Sequence, residues 1–514
     1  MASPGRAAGV VLLVWLAGPA PAAQQPAQQA SAALLAQGRR LLEAGDAKGA
    51  LEQFERALAV DPASGQAHYG IGLVHERAGN LAAAAEAYRS AVRDAPSLAP
   101  AHDRLGFVLG QQGNRAGAIE AFRRAAALDP SFFDAHYHLG ATLWWTKQPG
   151  EARPALANAL RLRPDHPEAR YYLALCLKQT GDVDGAITQL EQVVKGSPHF
   201  AAARMQLGIA LREAGDLDGA ITELREAARL EPASIETRNN LGLALSQRGH
   251  AEEAIQVLRS LVAEHPGYAT ARLNLGSTLM QKGDLDAAVA VYRELVEHGG
   301  GGAEAHYNLG VALKQKDDFA AAETELRKAT ALDPSLPEAH YTLGVVLWQT
   351  GRTEDAGESF RRALAARADY ADAHYMLGTV LRQLGREDDA LAEFRATISL
   401  QPTSAEAHLS LGQMLQRRGD EAAAAAFAEA ERLNKRKADA QAATFAVSVG
   451  IERLRANDLA SAIEQFRAAV RLAPDYPEAH HHLGIALEKA GAHSEAEQHL
   501  AEARRLNPRL RARR

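Results

Sequence analysis

Histidine is the residue type in this sequence that first invites a chemical reading. His68, His102, His136, His306, His340, His374 and His408 recur at 34 residues or multiples of it, and His480 follows after two further periods and four extra residues. A shared zinc ion would need their nitrogens within ~2.0–2.1 Å of one centre. One imidazole per 34 residues is too sparse for that, so packing is the expected role. His480, His481 and His482 are consecutive and would fan around a helix instead of converging. The single cysteine, Cys176, lies between Leu175 and Leu177, which predicts an inert core thiol. Alone it forms neither an intramolecular disulfide nor a thiolate cluster. No glycine loop able to cradle phosphate, no nucleophile elbow and no paired catalytic carboxylates stand out. No catalytic residue, no metal and no cofactor are therefore expected, and the chain is not expected to be an enzyme.

What must position these residues is a repeat. A glycine preceded by Leu or Ile recurs at Gly72, Gly106, Gly140, Gly208, Gly242, Gly276, Gly310, Gly344, Gly378 and Gly412, with Ala174 standing where one would fall. A frame started at Ser31 runs without insertion to residue 438, giving twelve repeats. After four extra residues, 439–442, two more repeats cover 443–510. The twentieth position is alanine throughout, from Ala50 and Ala84 to Ala424, Ala462 and Ala496. Proline closes most repeats, as at Pro62, Pro130, Pro232 and Pro334. Between these marks apolar residues recur at helical spacing, for example Leu207, Ala210, Leu211, then Ile221, Leu224 and Ala228. Each repeat thus reads as two helices separated by a glycine turn and stopped by proline. Small residues at positions eight and twenty would let the two helices cross closely, and one hairpin must stack on the next to bury its apolar face. The predicted fold class is all-α, a solenoid of antiparallel helical hairpins with a 34-residue period.

Segments such as "PEAHYTLGVVLWQTGRTEDAGESFRRALAA" from Pro337 resemble tetratricopeptide repeats. The resemblance spans Ser31 to about Leu510 and implies a right-handed superhelix whose first helices line a concave groove. In that family the second, fifth, ninth, twelfth and thirteenth positions usually face the groove. Here the fifth position supplies Tyr137, Tyr171, Tyr307, Tyr341 and Tyr375, and the twelfth supplies Trp144 and Trp348. Tyr137, Trp144 and Tyr171 would form one aromatic cluster, and Tyr307, Tyr341, Trp348 and Tyr375 a second. Asn240, Asn274 and Asn308 share the sixth position of successive repeats. They resemble the start of the asparagine ladder in the tetratricopeptide arm of the protein O-linked N-acetylglucosamine transferases, where amides can clamp a peptide main chain. These ten residues are the candidate peptide- or protein-binding set. Since the repeats run to the last residues, no glycosyltransferase domain is expected after them.

Departures from the period carry further expectations. Gly299 to Gly302 are read either as a tolerated turn or as a hinge. The segment around Arg436 and residues 439–442 predicts a break between the first twelve repeats and the last two. The ends differ from the array. Arg6, the apolar run Ala7–Leu16 and the small residues Ala20 to Ala22 have the layout of a secretory signal peptide over 1–22, with a short linker over 23–30. That predicts an exported protein, periplasmic or extracellular, with no integral membrane segment in the mature chain. A basic tail, 511–514, ends it, and the last repeat offers a surface for self-association. Charged residues make up 23% with a net charge of -6, so nucleic acid is not an expected partner. The function expected is non-catalytic scaffolding, with peptides or proteins held in the groove. The alternatives are an accessory component of an envelope assembly or polysaccharide-export machine, or the regulatory subunit of a separate glycosyltransferase.

Overall fold

The structure, a computed structural model, describes residues 24–507. The leader-like segment 1–22 and the basic tail 511–514 lie outside the described residues. Among those residues the chain is all-α, with 27 helices in succession and no strand. The first helix, Gln24–Glu43, begins inside the stretch expected to be a linker. The chain divides into two compact blocks, one ending at Glu264 and one starting at His265. Each is a stack of helical hairpins in which a helix packs mainly against its neighbours in sequence.

The hairpin Ala201–Glu213 and Leu217–Leu230 shows how residues make the repeat. Gly215 turns the chain at φ 87°, a left-handed conformation that costs an L-residue ~1–2 kcal/mol. The Asp216 carboxylate then accepts from the Gly219 amide at 3.1 Å and caps the second helix. Leu207, Ala210, Ala220, Ile221 and Leu224 are buried between the two helices. At the crossing, a Cβ on Gly208 would lie 2.6 Å from Leu224, and one on Gly344 the same distance from Phe360. The glycine of the first helix therefore makes room for a large side chain of the second. The position-four histidines have a structural task. Nε2 of His102, His136, His340, His408 and His480 donates at 3.0–3.2 Å to the carbonyl of the proline six residues earlier, satisfying an acceptor in the turn between repeats.

Residues Gly299 to Gly302 form the turn between helices Leu285–Glu297 and Gly302–Gln315, and three of the four glycines take positive φ. The larger departure comes later. Where a break is expected around 439–442, one helix of 34 residues runs from Ala422 to Arg455. The stretch Asn434 to Ala442 holds neither proline nor glycine, so nothing stops the helix. The phase also shifts before it. Gly412 meets Phe427, fifteen residues on, whereas Gly344 meets Phe360, sixteen on. Ala423 takes the buried crossing position and Ala424, expected there, is exposed. From the second repeat to the twelfth the third residue is buried against the helix before it, as Ala135 is against Ala125 and Ala169 against Ala159. In the fused helix that neighbour is part of the same rod, and Phe445 is left 71% exposed.

Candidate functional site

In the N-terminal block the candidate rings come from helices Phe133–Trp145 and Pro167–Gln179. Tyr137, Trp144 and Tyr171 are all half-buried, and among the described residues no direct ring pair joins any two of them. Tyr172 joins them. Its ring centroid lies 6.4 Å from Tyr137, 5.4 Å from Trp144 and 5.6 Å from Tyr171. Trp145 extends the surface, 4.9 Å from Trp144, with its indole N–H donating to the Tyr172 hydroxyl at 3.3 Å. It is 61% exposed, so the outermost ring is Trp145 and not Trp144. Underneath, Tyr137 stacks on Phe133 at 5.9 Å and meets His166 at 5.0 Å, while Tyr171 meets Phe200 at 5.1 Å. Burial pushes the phenols of Tyr137 and Tyr171 up to about 12, so both stay neutral hydrogen-bonding groups at any working pH. Tyr172 escapes the sequence reading because the sixth position is not among the expected groove positions. Trp145 stands at one of them, the thirteenth, but only aromatics of the fifth and twelfth positions entered the candidate set. A run of paired aromatics, Trp144-Trp145 and Tyr171-Tyr172, was the available signal.

Beside this surface lies a buried polar pair. The Asp103 side chain is fully buried, and its Oδ1 lies 2.8 Å from His138 Nδ1. The His138 ring in turn packs 5.5 Å from Tyr137 and 5.3 Å from Phe122. Asp103 sits at the fifth position, where neighbouring repeats carry tyrosine, and it holds the histidine that supports Tyr137.

The C-terminal block does not assemble its second cluster. Tyr307, Tyr341, Trp348 and Tyr375 make no ring contact with one another among the described residues. Tyr341 packs on Phe360 at 5.8 Å and Tyr370 at 5.0 Å, and Tyr375 packs on Phe394 at 5.7 Å. Tyr341 and Tyr375 thus each lie over the large residue of their own hairpin. Burial raises the Tyr307 and Tyr341 phenols as well. Equivalent helices stand ~8–10 Å apart, too far for like rings to touch without an intermediary. In the first block that intermediary is Tyr172, at the sixth position. In the second block the sixth position holds Asn274, Asn308, Thr342 and Met376. Trp348 instead donates its indole N–H to Gln383 at 2.9 Å, and with Gln349, Thr353, Glu354 and Leu384 they line an open cleft of about 510 Å³.

The asparagines divide between the blocks, Asn240 in the first and Asn274 and Asn308 in the second. Asn240 donates to the Glu236 carbonyl of its own helix at 2.9 Å. All three are half-buried. The thiol of Cys176 is buried beside Leu143 and Leu156, and burial pushes it up to about 11.

Models of the tetratricopeptide repeat match residues 35–99, 177–235, 239–304, 278–337, 307–372 and 450–510, more than half of the chain. The chain belongs to the tetratricopeptide repeat family. Further models described as tetratricopeptide repeat and TPR repeat match 146–205 and 347–414, and 111–145. No curated protein matches this tetratricopeptide repeat chain significantly. Among solved structures it is similar to YrrB, described as a TPR protein with an unusual peptide-binding site, at 24% identity over 36% of this chain and 95% of that one, with a TM-score of 0.34. MamA is 29% identical over 32% of this chain and 96% of its own, with a TM-score of 0.31. Pseudomonas aeruginosa pilF is 23% identical over 41% and 97%, with a TM-score of 0.37. Tetratricopeptide repeat proteins generally bind proteins or peptides and are typically non-catalytic.

Proposed function

We propose that this tetratricopeptide repeat chain is a non-catalytic scaffold that holds an extended peptide or protein segment against the aromatic face of its N-terminal block. The observation that carries the reading is the linkage of Tyr137, Trp144 and Tyr171 through Tyr172, ending on the exposed ring of Trp145. Large aromatic rings held by packing lose little freedom on binding and dominate interface energetics. The indole N–H and phenol hydroxyls at their edges supply hydrogen bonds to a main chain. Gln179, at the thirteenth position of the same block, is exposed and adds an adaptable amide. The family's typically non-catalytic character supports a scaffold over an enzyme. The site of action we propose is the periplasm or the cell exterior, on the strength of Arg6, the apolar run Ala7–Leu16 and the small residues before Gln24.

The decisive experiment is capture of partners from an envelope extract by the full chain and by the double variant Trp145→Ala/Tyr172→Ala. Capture should fall about tenfold or more, with unchanged helicity, because two central aromatics are worth more than ~1.4 kcal/mol in a peptide interface. Undiminished capture by a folded double variant would send these rings back to a packing role. Fractionation of cells making the chain, with N-terminal sequencing of the product, tests export. An intact leader on a cytoplasmic protein would remove that part of the reading.

A further inference from the structure

The last hairpin, helices Pro477–Lys489 and His493–Leu506, carries five of the chain's imidazoles: His480, His481, His482, His499 and the exposed His493, whose Nδ1 lies 3.1 Å from Glu488. The pair His480–His499 occupies a position that other repeats fill differently. In the ninth and eleventh repeats the position-four histidine points Nδ1 at a glutamate of the second helix, His306 to Glu325 at 2.6 Å and His374 to Glu393 at 2.5 Å. In the sixth, Arg204 meets Glu223 at 2.6 Å. Each is a cation, or a proton donor, facing a carboxylate. In the last repeat the carboxylate is replaced by a second imidazole, and the two Nδ1 atoms stand 3.0 Å apart.

Proton bookkeeping at this contact is restrictive. His480 Nε2 lies 3.0 Å from the Pro474 carbonyl, which can only accept, so Nε2 carries a hydrogen. In neutral His480 the Nδ1 is then bare and must accept the hydrogen of His499. One proton fits between the rings, and a second would set two N–H groups head to head. Neighbouring groups relieve this only in part. On the same helices Glu495 acts on His499 and Glu502 feels His480. Glu495 is paired with Arg467 of the helix Leu459–Leu472 at 2.8 Å, and Glu502 with Arg505 at 2.6 Å. Glu478 lies near His481, and His482 stacks on Phe466 at 5.6 Å. The long helix contributes apolar Val447, Ile451 and Leu454 to the same core.

We propose that this terminal hairpin is an acid-released latch, in which double protonation of the facing His480 and His499 rings drives its two helices, Pro477–Lys489 and His493–Leu506, apart. Burial first, then the His480 charge, lowers the His499 pKa. His481 is lowered by burial, and His482 by burial and then by the His481 charge. A histidine depressed in the fold favours the neutral form. The stability it lends is present above the ordinary imidazole pKa of ~6.5 and drains away as pH falls through that value towards the folded pKa. In the hairpins with His–Glu pairs a carboxylate faces the imidazole, so no two imidazoles are set against each other there. Acid thus uncovers the face of Leu483 and Leu487 in one hairpin of the block.

Hydrogen exchange on the full chain tests this at about pH 7.5 and about pH 5.5, either side of an ordinary imidazole pKa. After correction for intrinsic rates, protection in the helices Pro477–Lys489 and His493–Leu506 should fall about tenfold or more as the hairpin opens locally. Protection across Gly302–Gln315 and Phe319–Leu332, which hold His306 and Glu325, should not. His499→Glu, which installs the pair used by the ninth and eleventh repeats, should abolish the drop, and His499→Gln, neutral at both pH values, should reduce it. A drop of equal size in both variants, or one matched by the ninth repeat, overturns the proposal.

Discussion

The indole N–H of Trp145 meets the Tyr172 hydroxyl at 3.3 Å, tying the last turn of one first helix to the early turns of the next. Because Trp145 is largely exposed, its N–H can turn to water, and that hydrogen bond by itself contributes little. Tyr172→Phe should therefore cost less than about 1 kcal/mol in thermal or urea unfolding and leave partner capture nearly intact. Tyr172→Asn places at this position the residue that three other repeats carry there. It should leave folding largely unharmed yet weaken capture strongly, because it removes the ring through which the other aromatics touch. Equal capture by the two variants would show that ring continuity is irrelevant.

Close crossing at the glycines predicts a coupled pair of substitutions. Gly344→Ala puts a Cβ 2.6 Å from the Phe360 ring and should cost about 1–3 kcal/mol. The fifth repeat already combines Ala174 with Leu190, both buried. Gly344→Ala/Phe360→Leu should accordingly be less destabilised than the sum of its single variants. Additive losses in a double-mutant cycle would contradict the steric account.

Lys147, Asp317 and Asn457 occupy hairpin turns at φ 60°, where Gly181 and Gly215 sit in other repeats. Lys147→Gly and Asp317→Gly should each raise stability, by up to about 1 kcal/mol, through relief of the left-handed strain. A fall in melting temperature for both would mean that the side chains make compensating contacts.

In the fused helix, Arg436 stands where most repeats have proline. Arg436→Pro should break the rod, at a local cost of about 3 kcal/mol. The readout is faster hydrogen exchange across residues 434–442, with little change in Leu459–Leu472. Unaltered exchange there would show that the helix is not continuous in solution.

Burial of Cys176 predicts a slow thiol. With its pKa pushed up to about 11, the thiolate is scarce near neutrality, and alkylation should trail a free cysteine by about a hundredfold or more until the chain unfolds. Prompt labelling in native buffer would mean that the helix Pro167–Gln179 opens readily.

Much of the scaffold was legible in the residues. Gly208 against Leu224, Asp216 after Gly215 and proline in the turn between repeats are local rules repeated many times, and repetition averages away the ambiguity of any single one. The fused helix was legible only in part. The missing proline and glycine between Asn434 and Ala442 stand in plain view, but the four extra residues read as a break between the first twelve repeats and the last two. The one-residue shift that buries Ala423 instead of Ala424 hid in a run of five alanines that pattern cannot align. In the candidate site, tyrosines at the fifth position pointed to the right helices, yet contact between rings depends on what lies between them.

By itself, then, the order of residues determined the hairpin, its turns and its stacking period, because helix propensity, capping and small-residue crossings act over a few residues. Only the tertiary structure decided which rings meet. It joined Tyr137, Trp144 and Tyr171 through Tyr172, laid Tyr341 and Tyr375 over their own hairpins, and faced His480 with His499. The physical reason is distance. Neighbouring first helices stand ~8–10 Å apart, so contact across that gap depends on the size and direction of side chains from two repeats at once, which no single repeat specifies.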